Sequence, residues 1–70
     1  MPTIKFSVRE LDLEGEERLE RAMMGITGVY GAVADHEARC LEVDFEDDVA
    51  SLDELEEAAR RAGFTTRLAS

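Results

Sequence analysis

The stretch CLEVDFEDDVASLDELEEAARRAG, residues 40–63, decides the fold because it contains a strand and a helix with clear boundaries. Leu41, Val43 and Phe45 alternate with polar residues, which is typical of a strand with one buried face. Ser51 followed by Glu54 fits a capping box, in which each side chain accepts a hydrogen bond from the other residue's free backbone N–H. We therefore predict a strand over residues 40–46 and a helix that begins directly after Ser51.

The second helix has one apolar side, and Gly63 is suited to end it with a left-handed backbone conformation. The predicted buried residues of this helix are Leu52, Leu55, Ala58, Ala59 and Ala62. Residues 64–68 are apolar enough for a short last strand. Before residue 40, residues 29–35 predict a strand, and the short connection 36–39 makes it one half of an antiparallel hairpin.

The first third of the chain predicts another strand and another helix. Ile4, Phe6 and Val8 alternate with Lys5 and Ser7, which indicates a half-buried strand. A helix follows, and it is expected to end near Met24 because glycines stand at positions 25 and 28. Its apolar stripe is Leu19, Ala22, Met23 and Ile26.

The element order is therefore β-α-β-β-α-β over a single domain, residues 1–70. The compact arrangement for this order is the ferredoxin-like α+β fold, a four-stranded antiparallel sheet with both helices packed on one face. The other face is left open to water, and the polar residues Lys5, Ser7, Glu42 and Asp44 are expected to lie on it.

The charge of the chain argues against nucleic acid as a partner. Its 17 acidic and 8 basic residues give a net charge of −9, which repels phosphate backbones. No apolar run approaches the roughly 18 residues of a membrane span, and the first residues have no apolar signal region, so we expect a cytoplasmic protein that does not enter a membrane. The even spread of carboxylates favours a halophile-like protein over an ordinary acidic one.

The reactive side chains are few. The single cysteine excludes an internal disulfide, and no group of Cys and His residues has the spacing of a structural zinc site. No catalytic triad pattern, phosphate-binding glycine loop or paired carboxylates beside a pocket can be found, so we expect no enzymatic activity and no cofactor.

Three blocks of the sequence resemble the heavy-metal-associated (HMA) domain, the fold of small copper chaperones and of N-terminal modules of metal-pumping ATPases. They are Gly28-Val29, Leu41-Glu42-Val43-Asp44-Phe45, and Ser51-Leu52-Asp53-Glu54-Leu55 followed by Ala58-Ala59 and Gly63-Phe64. The resemblance covers nearly the whole chain. From residue 28 to residue 64 the spacing between the blocks fits the family without gaps. It implies the ferredoxin-like fold and a relationship to heavy-metal transport.

The metal loop of that family carries Cys-x-x-Cys just after the first strand, because two thiolates select soft ions such as Cu(I). Here the corresponding turn, residues 11–16, is one residue shorter and has no sulfur. Alignment from Val8 places the two family positions on Leu13 and Glu16. Alignment from Gly28 places them on Asp12 and Gly15. The resemblance therefore does not extend to thiolate ligation.

Other ligands are available in small number. Cys40 and His36 are the only soft ones, and both are expected near the tip of the hairpin, with Cys40 facing outward. Two ligands make an incomplete tetrahedral site, so we favour a structural role for both. The carboxylates Asp12, Glu14 and Glu16, like the run 46–48, lack the pattern of a calcium loop and are expected to be solvated surface.

Two functions from different classes remain open. The first, favoured by the missing thiolates, is an HMA-like binding module that contacts a protein partner or a second copy of itself without a tight metal site. The alternative is a metal-ion carrier with altered ligands, drawn from Cys40, His36 or the loop carboxylates.

Overall fold

The computed structural model describes residues 2–69, in which six elements follow the predicted order. They are β1 (Thr3–Val8), α1 (Leu13–Met24), β2 (Val29–Asp35), β3 (Cys40–Phe45), α2 (Leu52–Arg61) and β4 (Thr66–Leu68). The four strands form one sheet in the order β2-β3-β1-β4, with every neighbouring pair antiparallel. The ferredoxin-like arrangement predicted from the sequence is confirmed.

The alternation of β1 and β3 places one face of the sheet under the helices. Phe6, Leu41 and Val43 are at most 1% exposed, while Lys5 and Glu42, which pair with each other across the two strands, are exposed on the open face. The helices bury their own stripes against the same core, with Leu19, Met23 and Leu55 fully buried. The core is therefore a single layer between the sheet and two helices.

Both helices start at a capping side chain and end near the glycine that the sequence indicates. Asp12 caps α1 and Gly25 follows its last residue, while Ser51 and Glu54 form both bonds of the capping box at the start of α2. Gly63 follows α2 with φ at +97°, a conformation that costs a residue with a side chain much more than glycine.

Three expectations about the elements need correction. Leu52 is 38% exposed because it is the first residue of α2, before the helix turns its apolar side onto the sheet. The third strand ends at Phe45 rather than Glu46. The last strand begins at Thr66, because the ring of Phe64 is buried in the core and only three residues remain to pair with β1.

Candidate functional site

The turn between β1 and α1 is closed by its own hydrogen bonds. The side chain of Asp12 is the N-cap of α1 and accepts a bond from the backbone N–H of Gly15 at 2.7 Å. Asp12 and Gly15 are the two family metal positions in one of the two alignments. In this protein they form a helix cap instead, which satisfies a free N–H group of the first turn.

Gly15 is also covered from the other side. A Cβ atom built on Gly15 would lie 3.1 Å from two ring atoms of Phe64 and 3.0 Å from an Asp12 carboxylate oxygen. The guanidinium carbon of Arg18 lies over the ring of Phe64, 4.9 Å from the ring centre. This position therefore has no space for a ligand side chain, and Gly15 is a packing residue.

The other alignment places the family positions on Leu13 and Glu16, and these residues have different environments. The side chain of Leu13 is 67% exposed at the start of α1. Glu16 points across to the hairpin between β2 and β3, where its Oε2 atom lies 2.6 Å from Nδ1 of His36. The same oxygen accepts the backbone N–H of His36, also at 2.6 Å.

These two hydrogen bonds change the pKa values of both side chains. The backbone bond from His36, followed by the bond from its ring, lowers the pKa of Glu16 below its usual 4.5. The side-chain bond to Glu16 raises the pKa of His36 above its usual 6.5. The contribution of Glu16 is present above pH 4.5 and is lost as pH falls through its lowered value, while that of His36 is present below pH 6.5 and is lost as pH rises through its raised value. The pair therefore stabilises the fold most between pH 4.5 and 6.5.

A third side chain completes a possible metal-binding group. Glu16, Asp35 and His36 each offer one ligand atom, and these atoms all lie within 4.8 Å of one another. The carboxylate of Asp35 accepts bonds from the backbone N–H groups of Glu37 and Ala38, which fixes it in the hairpin turn. Within residues 2–69 we find one such group of three, and two of its members come from the hairpin and one from α1.

The position of Cys40 differs from that of His36. Cys40 pairs with Asp35 on one side and with Ser7 on the other, so it lies in the sheet on the open face, as expected. It is partly exposed and is not a member of the group formed by Glu16, Asp35 and His36. The structure thus joins His36 to Glu16, a carboxylate of α1, rather than to Cys40.

The contact between Glu16 and His36 was not predicted from the sequence because it is a long-range contact. Glu16 and His36 are 20 residues apart, and no local motif links them. One signal was available, since Glu16 was a family metal position in one alignment and His36 was one of the two soft ligands of the sequence. A groove of about 870 Å³ lies elsewhere, between the two helices, and its lining does not include Glu16, Asp35 or His36.

The whole fold is shared with solved structures, among them a copper binding domain and a copper chaperone. A copper binding domain from HMA7, a P-type ATPase, has a TM-score of 0.93 and 21% identity, over 100% of this chain and 96% of that one. Oxidized MerP from Ralstonia metallidurans CH34 has a TM-score of 0.93 and 23% identity, over 99% of this chain and 97% of that one. The copper chaperone of Enterococcus hirae in its apo form has a TM-score of 0.85 and 21% identity, over 93% and 97% of the two chains.

The resemblance to the HMA domain is thus confirmed in the fold. At such identities structural similarity establishes the fold and leaves the ligand to be argued from the site. No protein-family model matches the chain, and no curated protein matches it. Within residues 2–69, neither helix has the length and hydropathy needed to cross a membrane.

Proposed function

We propose that this protein is a metal-ion-binding domain that holds a borderline divalent cation, such as Zn²⁺, with Glu16, Asp35 and His36 as ligands. The observation that carries the proposal is the convergence of Glu16, Asp35 and His36, whose ligand atoms lie within 4.8 Å of one another. The proposed site lies at the β1–α1 end of the fold, with altered ligands in place of thiolates. It is a site for binding and transfer rather than for catalysis.

The chemistry of these ligands selects a different class of ion from thiolates. Imidazole nitrogen and carboxylate oxygen suit Zn²⁺ and related first-row divalent ions, whereas Cu(I) prefers sulfur. Three protein ligands with a water in the fourth position form an open site, from which an ion can be transferred. A carrier needs this openness because it must release its cargo.

The hydrogen bonds of the site support the proposal. The backbone N–H of His36 holds the carboxylate of Glu16 in place, so less side-chain entropy is lost when an ion binds. The proton between Nδ1 of His36 and Glu16 must leave first, because a metal ion and a proton compete for the same nitrogen. Since the pKa of His36 is raised, we expect affinity to increase with pH through and above pH 6.5.

Calorimetric titration of the apo protein with Zn²⁺ at pH 7.5 tests this function. We expect one saturable site, and we expect Glu16→Gln to weaken it about tenfold or more because an amide is a much poorer ligand. Glu17→Gln is the matched control, because Glu17 is the next residue of the same helix turn and binds Arg21 instead. Equal affinities for the two variants, or no binding below millimolar Zn²⁺, would exclude the site.

A contact module is the second candidate, and the exposure of Leu13 favours it. A leucine that is 67% exposed at the start of α1 lies at the end of the molecule where the proposed metal site is. Burial of this side chain against a second copy of the protein would remove apolar surface from water, which is favourable. We propose self-association through this end, which sedimentation velocity would detect as a mass that increases with concentration and decreases again in Leu13→Ser.

The sequence alone favoured the contact module over the metal-binding domain, and the preference is now reversed. The missing thiolates favoured protein contact, but the contact between Glu16 and His36 supplies ligands that the sequence did not place together. The expected cytoplasmic location stays a prediction.

A further inference from the structure

A cleft on the open face of the sheet has a composition that is unusual for this acidic protein. It lies where the end of β1 meets β4 and has a volume of about 530 Å³. Its lining consists of two arginines and three hydroxyl residues, namely Ser7, Arg9, Thr65, Thr66 and Arg67. No carboxylate lines it, although the chain has 17 acidic residues.

The arginines of the cleft lack the carboxylate partners that three of the helix arginines have. On the helices, Arg21 binds Glu17, and Arg60 and Arg61 bind Glu57. Among the ion pairs and side-chain hydrogen bonds of residues 2–69, none involves Arg9 or Arg67. Two neighbouring positive charges without a counter-charge are mildly destabilising, and an anion would remove that cost.

The register of β1 against β4 makes Arg9 and Arg67 neighbours, and both side chains line the cleft. Ser7 pairs with Arg67, and the backbone N–H of Arg9 donates to the carbonyl of Thr65 at 3.1 Å. Arg9 and Arg67 are therefore diagonal neighbours on one face, a separation of about 7–8 Å between backbone positions that long side chains span easily. Arg39 lies beyond Arg9, in a neighbouring groove that Glu10 and Asp12 also line, so its charge is not counted toward the cleft.

We propose that this cleft is a binding site for a small tetrahedral oxyanion, namely phosphate or the phosphate group of a small monoester. Arg9 and Arg67 supply forked N–H donors on two sides, and the hydroxyls of Ser7 and Thr65 supply further donors between them. A tetrahedral ion has four acceptor oxygens and uses donors from several directions. A planar carboxylate has only two oxygens in one plane, so it offers fewer acceptor directions to two guanidinium groups and two hydroxyls.

The net charge of the protein limits which phosphates can bind. A charge of −9 repels anions at long range, so a nucleic acid with many phosphates is disfavoured while one small ion can still reach two arginines. Screening shortens the repulsion to about 8 Å at physiological ionic strength, which leaves the direct contacts in the cleft intact. The site is separate from the proposed metal ligands, and neither proposal depends on the other.

Chemical-shift titration of the apo protein at constant ionic strength, with a chelator present, tests the proposal. The probes are inorganic phosphate, glycerol 2-phosphate and acetate. We expect saturable shifts at the amides of residues 7–9 and 65–67 with a dissociation constant on the order of 1 mM for phosphate. Arg67→Gln should raise that constant about tenfold, whereas Arg21→Gln, on α1, should leave it unchanged.

The three probes distinguish the sources of the ligand. Preferential saturation by glycerol 2-phosphate identifies a monoester site, and preferential saturation by inorganic phosphate identifies a site for the free ion. Equal shifts with acetate would overturn the proposal, because the site would then recognise negative charge alone. Linear shifts without saturation, or equal constants for Arg67→Gln and Arg21→Gln, would overturn it as well. Both replaced side chains are exposed, so the variants should fold, and their amide spectra would verify this.

Discussion

At the scale of single residues, Gly15 explains why a thiolate cannot simply be restored in this fold. Its backbone lies between the ring of Phe64 and the carboxylate of Asp12, both within 3.1 Å of any added Cβ. Phe64 is 5% exposed and Asp12 is held by its bond to the Gly15 amide, so neither neighbour can move away at low cost. A side chain at position 15 therefore requires the turn around it to repack.

Gly15→Ala is expected to reduce the free energy of unfolding by about 1–3 kcal/mol, because steric overlap with Phe64 outweighs the helix propensity that alanine adds. Urea unfolding measures the change. Gly25→Ala is the matched control, since its Cβ would meet only backbone oxygens at 3.6 Å and its φ is an ordinary −78°. A Gly15→Ala protein as stable as Gly25→Ala would show that the turn has space for a side chain.

Single-residue roles were predictable only where they depend on neighbours along the chain. Ser51 and Glu54 form the capping box that their spacing indicates, since a cap involves only one helix turn. His36 could not be assigned in the same way. Its partner, Glu16, lies 20 residues away, and only the packing of α1 beside the hairpin brings the two together.

At the scale of elements, α1 covers part of the free edge of β2. Glu16 accepts the backbone N–H of His36, and Glu20 accepts that of Ala34 at 2.8 Å. The spacings agree, because four residues of helix rise about 6 Å and two residues of strand about 6.6 Å. Two glutamates one turn apart thus cap alternate N–H groups of an edge strand that would otherwise be free to pair with another chain.

Glu20→Ala should increase the hydrogen-exchange rate of the Ala34 amide about tenfold, because it removes a charge-assisted acceptor from an edge N–H group. Exchange measured by NMR at residue resolution tests this. Glu17→Ala, which removes a carboxylate on the exposed side of α1, should leave the Ala34 rate unchanged. Equal rates in the two variants would mean that Glu20 does not protect the edge.

The elements themselves were largely predictable, and the errors have local causes. The bounds of β2 and the end of α1 agree with the prediction, because the glycines at positions 25 and 28 and the short connection 36–39 mark them. The start of β4 was placed two residues too early, because the apolar character of Phe64 serves the core rather than the strand. Tyr30 is 59% exposed, at the point between Val29 and Gly31 where the register of β2 against β3 shifts.

At the scale of the whole molecule, the order of the elements determines the topology, whereas the net charge affects only the stability. The antiparallel sheet under two helices follows from the order and periodicity of the elements, so it was predictable without any ligand. The net charge of −9 does not affect the topology, but it adds repulsion across a domain with a thin core. The halophile-like interpretation of this charge stays a prediction.

Molar KCl should stabilise the protein by screening this repulsion. A gain of about 1 kcal/mol would raise the melting temperature by roughly 4–8 °C for a domain of this size. Thermal unfolding in dilute buffer and in 2 M KCl measures the shift. In the double variant Glu10→Lys and Asp48→Lys each replacement changes the charge by two units, from −9 to −5, so the shift should be smaller. A melting temperature that KCl leaves unchanged would contradict this account.

The central claim, that Glu16 and His36 bind a metal ion, is tested most directly at the imidazole ring. His36 is the only histidine, so the ring nitrogen signals in a ¹⁵N NMR spectrum belong to it alone. Addition of Zn²⁺ at pH 7.5 should shift the Nδ1 signal, with saturation at one equivalent in the native protein and at higher concentration in Glu16→Gln. Ring signals that stay unchanged at millimolar Zn²⁺, or that respond identically in Glu16→Gln, would contradict the claim.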